Sequence, residues 1–263
     1  MNLKINSFSG RLGNNIIQLS NCIQIAAYYN YNIIIPYNTY FIQSYITINP
    51  SINKNNKVYT DTITNYFYIK NYHNKINFKN IDYILFEKNI EFTISILQEI
   101  FSIKNVPTLH ENTVVIHIRG GDIFSWTPHG EYIMPPLSYY TNIINSNNFK
   151  KIIMISEDRS NPCVNKLLVL YPIIEFRMNT LDEDIKLLLG SQNVIESFGT
   201  FTPALLTLSK NIKNIYKPSY QFDTLLSKLP HKYNIFETDL EDYKQKMSPW
   251  KNTEEQHNIM MTY

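Results

Sequence analysis

The chain has 263 residues and 24 Lys and Arg against 22 Asp and Glu, a net charge of +2. This length suits one large or two small domains, and the even charge is unlike that of proteins that bind nucleic acids through phosphates. Two cysteines cannot form a disulfide framework or a four-cysteine zinc site. The polar start is unlike a secretory signal peptide and no apolar run reaches the length of a membrane span, so we expect a soluble cytoplasmic protein.

The first part of the chain is predicted to alternate strands with helices. Apolar residues three and four positions apart indicate a buried helix at 12–29, while residues 37–80 show poor periodicity. The predicted order is strand, helix, strand, strand, helix, at 3–8, 12–29, 33–35, 81–86 and 90–103. This opening is typical of a wound α/β layer.

The pattern becomes sharper after Pro107. Strands are predicted at 114–118, 151–156, 173–178, 193–197 and 214–216. Helices are predicted at 136–147, 161–170, 181–190 and 203–210. This alternation favours a parallel sheet covered on both faces. We therefore predict α/β halves at 1–108 and 109–230, then a polar tail at 231–263 with Trp250 and Tyr263 as candidate anchors.

Arginine and glycine are rare in this chain and occur together at two places. There are four arginines and seven glycines, and two of the arginines each have two glycines close by: Arg11 with Gly10 and Gly13, and Arg119 with Gly120 and Gly121. Glycine permits close approach of the backbone, and arginine offers a planar fork to an anion. Both places are therefore candidate anion sites.

The second motif, His117-Ile118-Arg119-Gly120-Gly121-Asp122, follows a predicted strand. Ligands of open α/β sheets bind beyond the carboxyl ends of strands. There Arg119 can bind two oxygens of a diphosphate, and Asp122 can orient it or accept a proton. The alternative is an Arg–Asp pair in an ordinary turn.

The first motif, Ser9-Gly10-Arg11-Leu12-Gly13-Asn14-Asn15, lies between a predicted strand and helix. Backbone amides at a helix start bind anions. The motif lacks the third glycine of a dinucleotide fingerprint and the Gly-Lys-Ser/Thr of an NTPase loop. A tight turn with an N-capping Asn is the alternative.

Four segments in the order 10–15, 117–122, 155–158 and 193–201 together resemble the motifs of α1,2-fucosyltransferase-like glycosyltransferases. The first resembles the GRLGNQ opening of that family. The second resembles the HxRxGD motif shared with the α1,6- and protein O-fucosyltransferases. The third resembles a Ser-acidic-acidic strand end, and the fourth a late strand and loop facing the donor nucleotide.

The resemblance implies a GT-B-like enzyme: two Rossmann-like halves with parallel sheets facing a cleft. Residues 1–108 would form the acceptor side and 109–230 the nucleotide-sugar-binding half. The implied reaction transfers fucose from GDP-fucose, with inversion, to a hydroxyl of a glycan acceptor. It needs neither a metal nor another cofactor, and no nucleic acid or membrane span takes part.

By the same resemblance, Arg119 would bind the diphosphate and Asp158 the ribose or base. The implied donor-binding residues are His117, Arg119, Gly120, Gly121, Asp158, Ser197, Gly199, Thr200 and Phe201. The residues that would border the cleft from the first half are Gly10, Arg11, Gly13 and Asn14.

The sequence departs from the family in ways that leave the acceptor and the donor sugar open. Thr202-Pro203-Ala204 replaces a Trp pair, Gly120 stands where the family has Arg or Ser, and Asn15 replaces Gln. Two alternatives therefore remain: another GDP-sugar donor on the same fold, or a non-catalytic nucleotide- or carbohydrate-binding module.

The catalytic base has three candidates in the stretch after Arg119: Asp122, which is favoured, His129 and Glu131. Each has a structural alternative, since Asp122 can hold Arg119 and the other two can be exposed loop residues. Aromatic residues at 132–140 can stack on sugars, but packing is favoured. The run 182–184 resembles a metal-binding DxD motif and is interpreted as a helix start, where acidic residues oppose the dipole.

Overall fold

The computed structural model describes residues 2–51, 58–60, 90–222, 225–229 and 232–263. Its contacts divide the chain into two compact units, Met1–Asn105 and Val106–Tyr263. The division falls close to the predicted boundary at 108.

The first unit contains a small sheet. Its described elements are β1 Asn2–Lys4, α1 Leu12–Tyr29, β2 Asn32–Ile34, β3 Tyr45–Ile46, β4 Val58–Thr60 and α2 Ile90–Ile100. The strand order is β3-β2-β1-β4, with β1 parallel to β2 and β4, and β3 antiparallel to β2. The strand predicted at 81–86 lies outside the described residues.

The ends of α1 have local causes. The helix has its predicted bounds and stops where Asn30 adopts a left-handed conformation (φ 57°), with its N–H bonded to carbonyls of the last turn. The preceding strand ends at Lys4 rather than at the predicted residue 8. The Gln18 side chain donates to the Ser7 carbonyl and accepts from the Ser9 N–H, at 3.1 Å each. These backbone groups are therefore hydrogen-bonded to a side chain of α1 and not to a neighbouring strand.

The second unit is a Rossmann-like α/β layer. Its strands are β5 Thr113–His117, β6 Lys151–Ile155, β7 Ile174–Arg177, β8 Asn193–Ile195, β9 Asn214–Pro218 and β10 Asn234–Thr238. Its helices are α3 Leu137–Ser146, α4 Pro162–Leu170, α5 Leu181–Gly190, α6 Phe201–Leu206, α7 Glu241–Met247 and α8 Glu254–Thr262. The predicted parallel α/β character is confirmed here, with strand ends shifted by a few residues.

The strand order of this sheet is β10-β9-β8-β5-β6-β7, and every pairing is parallel. From β5 the chain builds outward through β6 and β7, then returns to the other side of β5 and continues through β8, β9 and β10. The strand order therefore reverses between β5 and β8. In open α/β sheets a ligand crevice lies at this reversal, outside the carboxyl ends of the two strands.

The segment after residue 231 differs from the predicted polar tail, because it completes the second unit. β10 pairs with β9, and Trp250 is 1% exposed. The Trp250 indole N–H donates to the Ile123 carbonyl at 2.7 Å, and its ring meets Phe124 edge to face. The Tyr243 hydroxyl donates to the Met134 carbonyl at 2.9 Å. The mixed polarity of this segment arises because it covers the core with one side only.

The two tryptophans give a matched test of the packing of the C-terminal segment against the second unit. We expect Trp250→Ala to lower the free energy of unfolding by about 3–5 kcal/mol, since it removes a buried ring and orphans a carbonyl. Trp126 is fully exposed (101%), so Trp126→Ala should change it by less than about 0.5 kcal/mol. Urea unfolding followed by circular dichroism measures both. Equal effects would contradict the buried role of Trp250.

Candidate functional site

Arg119 lies just beyond β5, at the reversal of strand order. Its guanidinium stacks over the ring of Tyr132 at 4.5 Å and meets both carboxylate oxygens of Asp122 at 3.3 and 3.4 Å. Its backbone carbonyl accepts from the Asn161 side chain at 3.1 Å. The Arg119 side chain is 18% exposed and that of Asp122 is 50% exposed. A cation is thus held in a fixed position with part of its surface open.

The two glycines after Arg119 are explained by carboxylates of the protein itself. A Cβ on Gly120 would lie 2.3 Å from an Asp158 oxygen, and one on Gly121, whose φ is +63°, would lie 2.6 Å from a Glu157 oxygen. The Gly121 N–H donates to Asp158 at 3.2 Å and to the Ser160 hydroxyl at 3.1 Å. The glycines are therefore needed for close packing between the loops after β5 and β6.

Asp158 is occupied by this loop contact, although a ribose or base contact was predicted for it. Besides Gly121, its carboxylate accepts from the N–H and the hydroxyl of Ser160, at 2.9 and 2.6 Å. Burial alone would raise the pKa of Asp158, but the hydrogen bonds from Ser160 and Gly121 outweigh it and hold that pKa below its ordinary value. Its role toward a nucleotide stays a prediction.

The loop after β8 lies directly against Arg119. Gly199 has a φ of +138°, and a Cβ there would lie 2.8 Å from the guanidinium. A side chain at this position would be strained and would displace Arg119. The structure thus brings together two of the segments in which site residues were predicted, 117–122 and 197–201.

Gln221 fixes this loop and was missed by the sequence analysis. Its side-chain oxygen accepts from the Gly199 N–H at 3.2 Å, and its amide nitrogen donates to the Ser197 carbonyl at 2.6 Å and to Glu196 at 3.3 Å. Gln221 is buried. No local pattern marks it, because its role depends on contacts with a loop more than 20 residues earlier.

Glu196, at the end of β8, is a buried carboxyl that the sequence analysis also missed. Burial raises its pKa to about 8, although the Gln221 hydrogen bond and the charge of Lys217 act to lower it. Glu196 and Lys217 line a cavity of about 20 Å³, enough for roughly one water and too small for a nucleotide.

The remaining predicted residues of the late loop divide between core and site edge. Ser197 is buried, with its hydroxyl 3.5 Å from the sulfur of Met134, so it points into the core. Thr200 is the N-cap of α6, and Phe201 begins that helix. The Phe201 ring lies 5.4 Å from the His117 ring.

His117 is held in a neutral form. Its Nδ1 lies 2.7 Å from the Thr202 hydroxyl. Burial, together with the nearby charge of Arg119, lowers the pKa of His117 to about 4. It therefore carries no charge near neutral pH and supports Phe201 and Thr202 at the start of α6.

The candidate bases lie on the segment after Arg119. Asp122 pairs with Arg119, as described above. His129 contacts the edge of Tyr132, with ring centroids 5.1 Å apart, and its Nδ1 accepts from the Glu131 N–H at 3.4 Å. Tyr132 thus lies between His129 and Arg119 and contacts both. His129 and Glu131 are exposed to solvent.

Aromatic residues at 132–140 pack within the protein, which is the interpretation that the sequence favoured over stacking on sugars. Tyr132 supports Arg119 and meets Phe198 edge to face at 5.5 Å. Tyr139 and Tyr140 are buried, and the Tyr139 hydroxyl lies within hydrogen-bond distance of the Glu196 carbonyl just past β8 (3.0 Å) and of the Tyr216 carbonyl in the middle of β9 (2.8 Å). The rings of Tyr139 and Tyr140 are therefore not available to a ligand.

The first motif forms a tight turn in the first unit. Gly10 has a φ of +71°, and a Cβ there would lie 2.3 Å from the Asn14 side chain. Arg11 is the exposed N-cap of α1, and Gly13 is buried in its first turn. The Asn15 side chain donates to the Ser9 and Gly10 carbonyls at 3.1 and 3.3 Å. The tight turn is observed, but the N-cap of α1 is Arg11 and not the predicted Asn. An anion role stays a prediction.

The acidic run at 182–184 begins α5 through a capping box between Thr180 and Glu183, which agrees with its interpretation as a helix start. Among the residues that the structure describes, no group of three or more His, Cys, Asp or Glu side chains is placed to hold a metal ion. None of the helices in the described ranges combines the length and the apolar character that a membrane crossing requires.

Comparison with known proteins adds little to this geometry. No protein-family model and no curated protein matches the chain. The chain is distantly similar to the E. coli ADP-heptose lps heptosyltransferase II, with 12% identity and a TM-score of 0.31, over 66% of this chain and 51% of that one. For E. coli heptosyltransferase WaaC with ADP the values are 10%, 0.31, 67% and 48%. The chain spans about half the length of both structures, and a likeness this distant concerns the fold at most.

The lowered pKa of His117 predicts a loss of stability in acid. The unfolded chain takes up a proton at this residue near pH 6.5, whereas the folded chain does so only near pH 4, so the free energy of unfolding should fall as the pH falls between these values. We expect His117→Asn to remove roughly 1–3 kcal/mol of this fall. His110 is exposed, so His110→Asn should show the same fall in stability as the wild type. Urea unfolding at a series of pH values measures this. If the free energies of unfolding of wild type and His117→Asn fall equally with pH, the lowered pKa of His117 is contradicted.

Proposed function

We propose that the second unit binds a nucleoside diphosphate sugar with Arg119 on the diphosphate. The observation that carries the proposal is the meeting of Arg119 with the Gly199 loop at the reversal of strand order. A partly exposed guanidinium at such a crevice can bind two oxygens of a diphosphate at once. The stack on Tyr132 keeps the fork oriented before the ligand arrives.

The Asp122 contact supports exchange with a ligand. At 3.3 and 3.4 Å the two oxygens of Asp122 lie farther from Arg119 than in a tight charge-assisted bond, and this side chain is half exposed. A diphosphate with two negative charges can therefore replace Asp122 on the guanidinium. The displaced carboxylate is then next to the leaving group, where it can accept a proton.

We further propose the reaction class: an inverting, metal-independent glycosyltransferase that moves fucose from GDP-fucose to a glycan hydroxyl, with Asp122 as base. Arg119 would stabilise the charge that develops on the departing diphosphate. The choice of fucose and guanine rests on the four motifs, and so does the assignment of Gly10, Arg11, Gly13 and Asn14 to the acceptor. Another GDP-sugar would use the same geometry. A binding module without transfer would bind GDP but release no sugar.

Arg119→Lys tests the diphosphate contact. Lysine keeps the charge but loses the planar fork and the stack on Tyr132, so we expect GDP affinity to fall by about 10- to 100-fold and transfer to fall at least as far. The control is Arg177→Lys on β7, where Arg177 is paired with Glu175. Calorimetry with GDP measures the affinity. Near-normal GDP binding by Arg119→Lys would show that Arg119 is not the phosphate ligand.

Asp122→Asn separates a base from an orienting residue. If Asp122 is the base, the variant should bind GDP as well as or better than the wild type, because a competing carboxylate is gone. Its turnover should fall by about 10²–10⁴-fold. The exposed Glu131→Gln is the control and should leave turnover within a few-fold. Weaker GDP binding with little loss of turnover would instead assign Asp122 the orienting role.

A further inference from the structure

Trp126 has the most exposed large hydrophobic side chain among the described residues, at 101% of its reference surface. It lies one residue beyond Ser125, which closes the turn that contains Asp122: the Ser125 hydroxyl donates to the Asp122 carbonyl at 2.7 Å. An indole left wholly in water, four residues after a candidate base, has no packing role among the described residues.

The backbone on which Trp126 stands is held firmly. The Asn252 side chain donates to the Phe124 and Ser125 carbonyls at 2.8 and 3.1 Å, and the Trp250 indole N–H donates to the Ile123 carbonyl at 2.7 Å. The backbone that carries the exposed ring is therefore fixed by the C-terminal segment. A ligand that stacks on the ring has to order the side chain but not the loop.

The other aromatic side chains of the stretch 122–140 contact the rest of the protein. Phe124 packs on Trp250, Tyr132 stacks under the Arg119 guanidinium, and Tyr139 and Tyr140 are buried. Trp126 is thus the aromatic residue of this stretch whose faces remain open to solvent.

The segment that carries Trp126 is not basic. Residues 122–131 contain Asp122 and Glu131 and neither Lys nor Arg, and the basic residues beside this segment are Arg119 and Lys251. Nucleic-acid phosphates and anionic membrane surfaces are bound by clusters of basic residues, which this composition does not supply. A sugar ring is neutral, and its apolar C–H face can stack on the indole. Its hydroxyls can donate hydrogen bonds to exposed carboxylates.

We propose that Trp126 is the platform on which the sugar ring of the acceptor stacks, so that an acceptor hydroxyl is presented to Asp122. This inference rests on the proposed glycosyltransferase function and names the acceptor side of that site: a neutral pyranose. Trp126 sets the position of the acceptor and takes no part in the chemistry.

Tryptophan fluorescence tests the platform without any donor. The chain has two tryptophans, of which Trp250 is buried. Titration of the wild-type protein with neutral oligosaccharides such as lactose and N-acetyllactosamine should give a saturable blue shift that Trp126→Phe abolishes. In transfer assays Trp126→Ala should raise the acceptor KM about 3- to 10-fold and leave GDP affinity within twofold, with partial rescue in Trp126→Phe. Met178→Ala, at an exposed site beyond β7, should change neither value.

The outcomes separate this inference from the proposed function. No blue shift with the oligosaccharide panel, or an unchanged acceptor KM in Trp126→Ala, would overturn the platform even if GDP binds. Self-association of the wild type, or binding to zwitterionic vesicles, that is lost in Trp126→Ala would also overturn it. If the protein binds oligosaccharide through Trp126 but does not bind GDP, the proposed function fails: the sugar contact of Trp126 then stands, and its role toward an acceptor is overturned with the function.

Discussion

The guanidinium of Arg119 and the way it is held are the constraint on which the rest of the site depends. A cation withdrawn from water needs partners, and Arg119 has the face of Tyr132, the carboxylate of Asp122 and the Gly199 backbone close by. The close approach explains why position 199 is glycine, and Gln221 ties the same loop in place through the Gly199 N–H and the Ser197 carbonyl. Arg119 is therefore held by several contacts while 18% of its side chain stays exposed, an arrangement that suits the proposed anion site.

The end of the chain supports this arrangement. Trp250 and Asn252 bond the carbonyls of the turn after Gly121, and Tyr243 bonds the carbonyl of Met134. The loop that carries Asp122 and Trp126 is consequently braced by a segment more than 100 residues later in sequence. The geometry of the site and the stability of the second unit thus share the same contacts, which links fold to function in this chain.

Local signals explain which features could be predicted from sequence. The helix predicted at 181–190 has its observed bounds, with the acidic run at its start and Gly190 at its end, and the structure adds a capping box of Thr180 and Glu183. Arg119 was singled out because arginine is rare here and stands beside two glycines. The strand at 234–238 was missed because its alternating burial is weak at the sheet edge. Gln221 could not be found, since its function exists only through tertiary contacts. The glycines were recognised as special, yet their observed neighbours are the protein's own side chains.

Calorimetric titration of the wild-type protein with GDP, ADP and UDP, and with GDP-fucose, GDP-mannose and UDP-sugars, tests the central claim most directly. The account predicts one site per chain, tighter binding of GDP than of UDP or ADP, and binding in excess EDTA, since the charge of the diphosphate is met by Arg119. Preference for UDP, or no binding of any of these diphosphates, would contradict it.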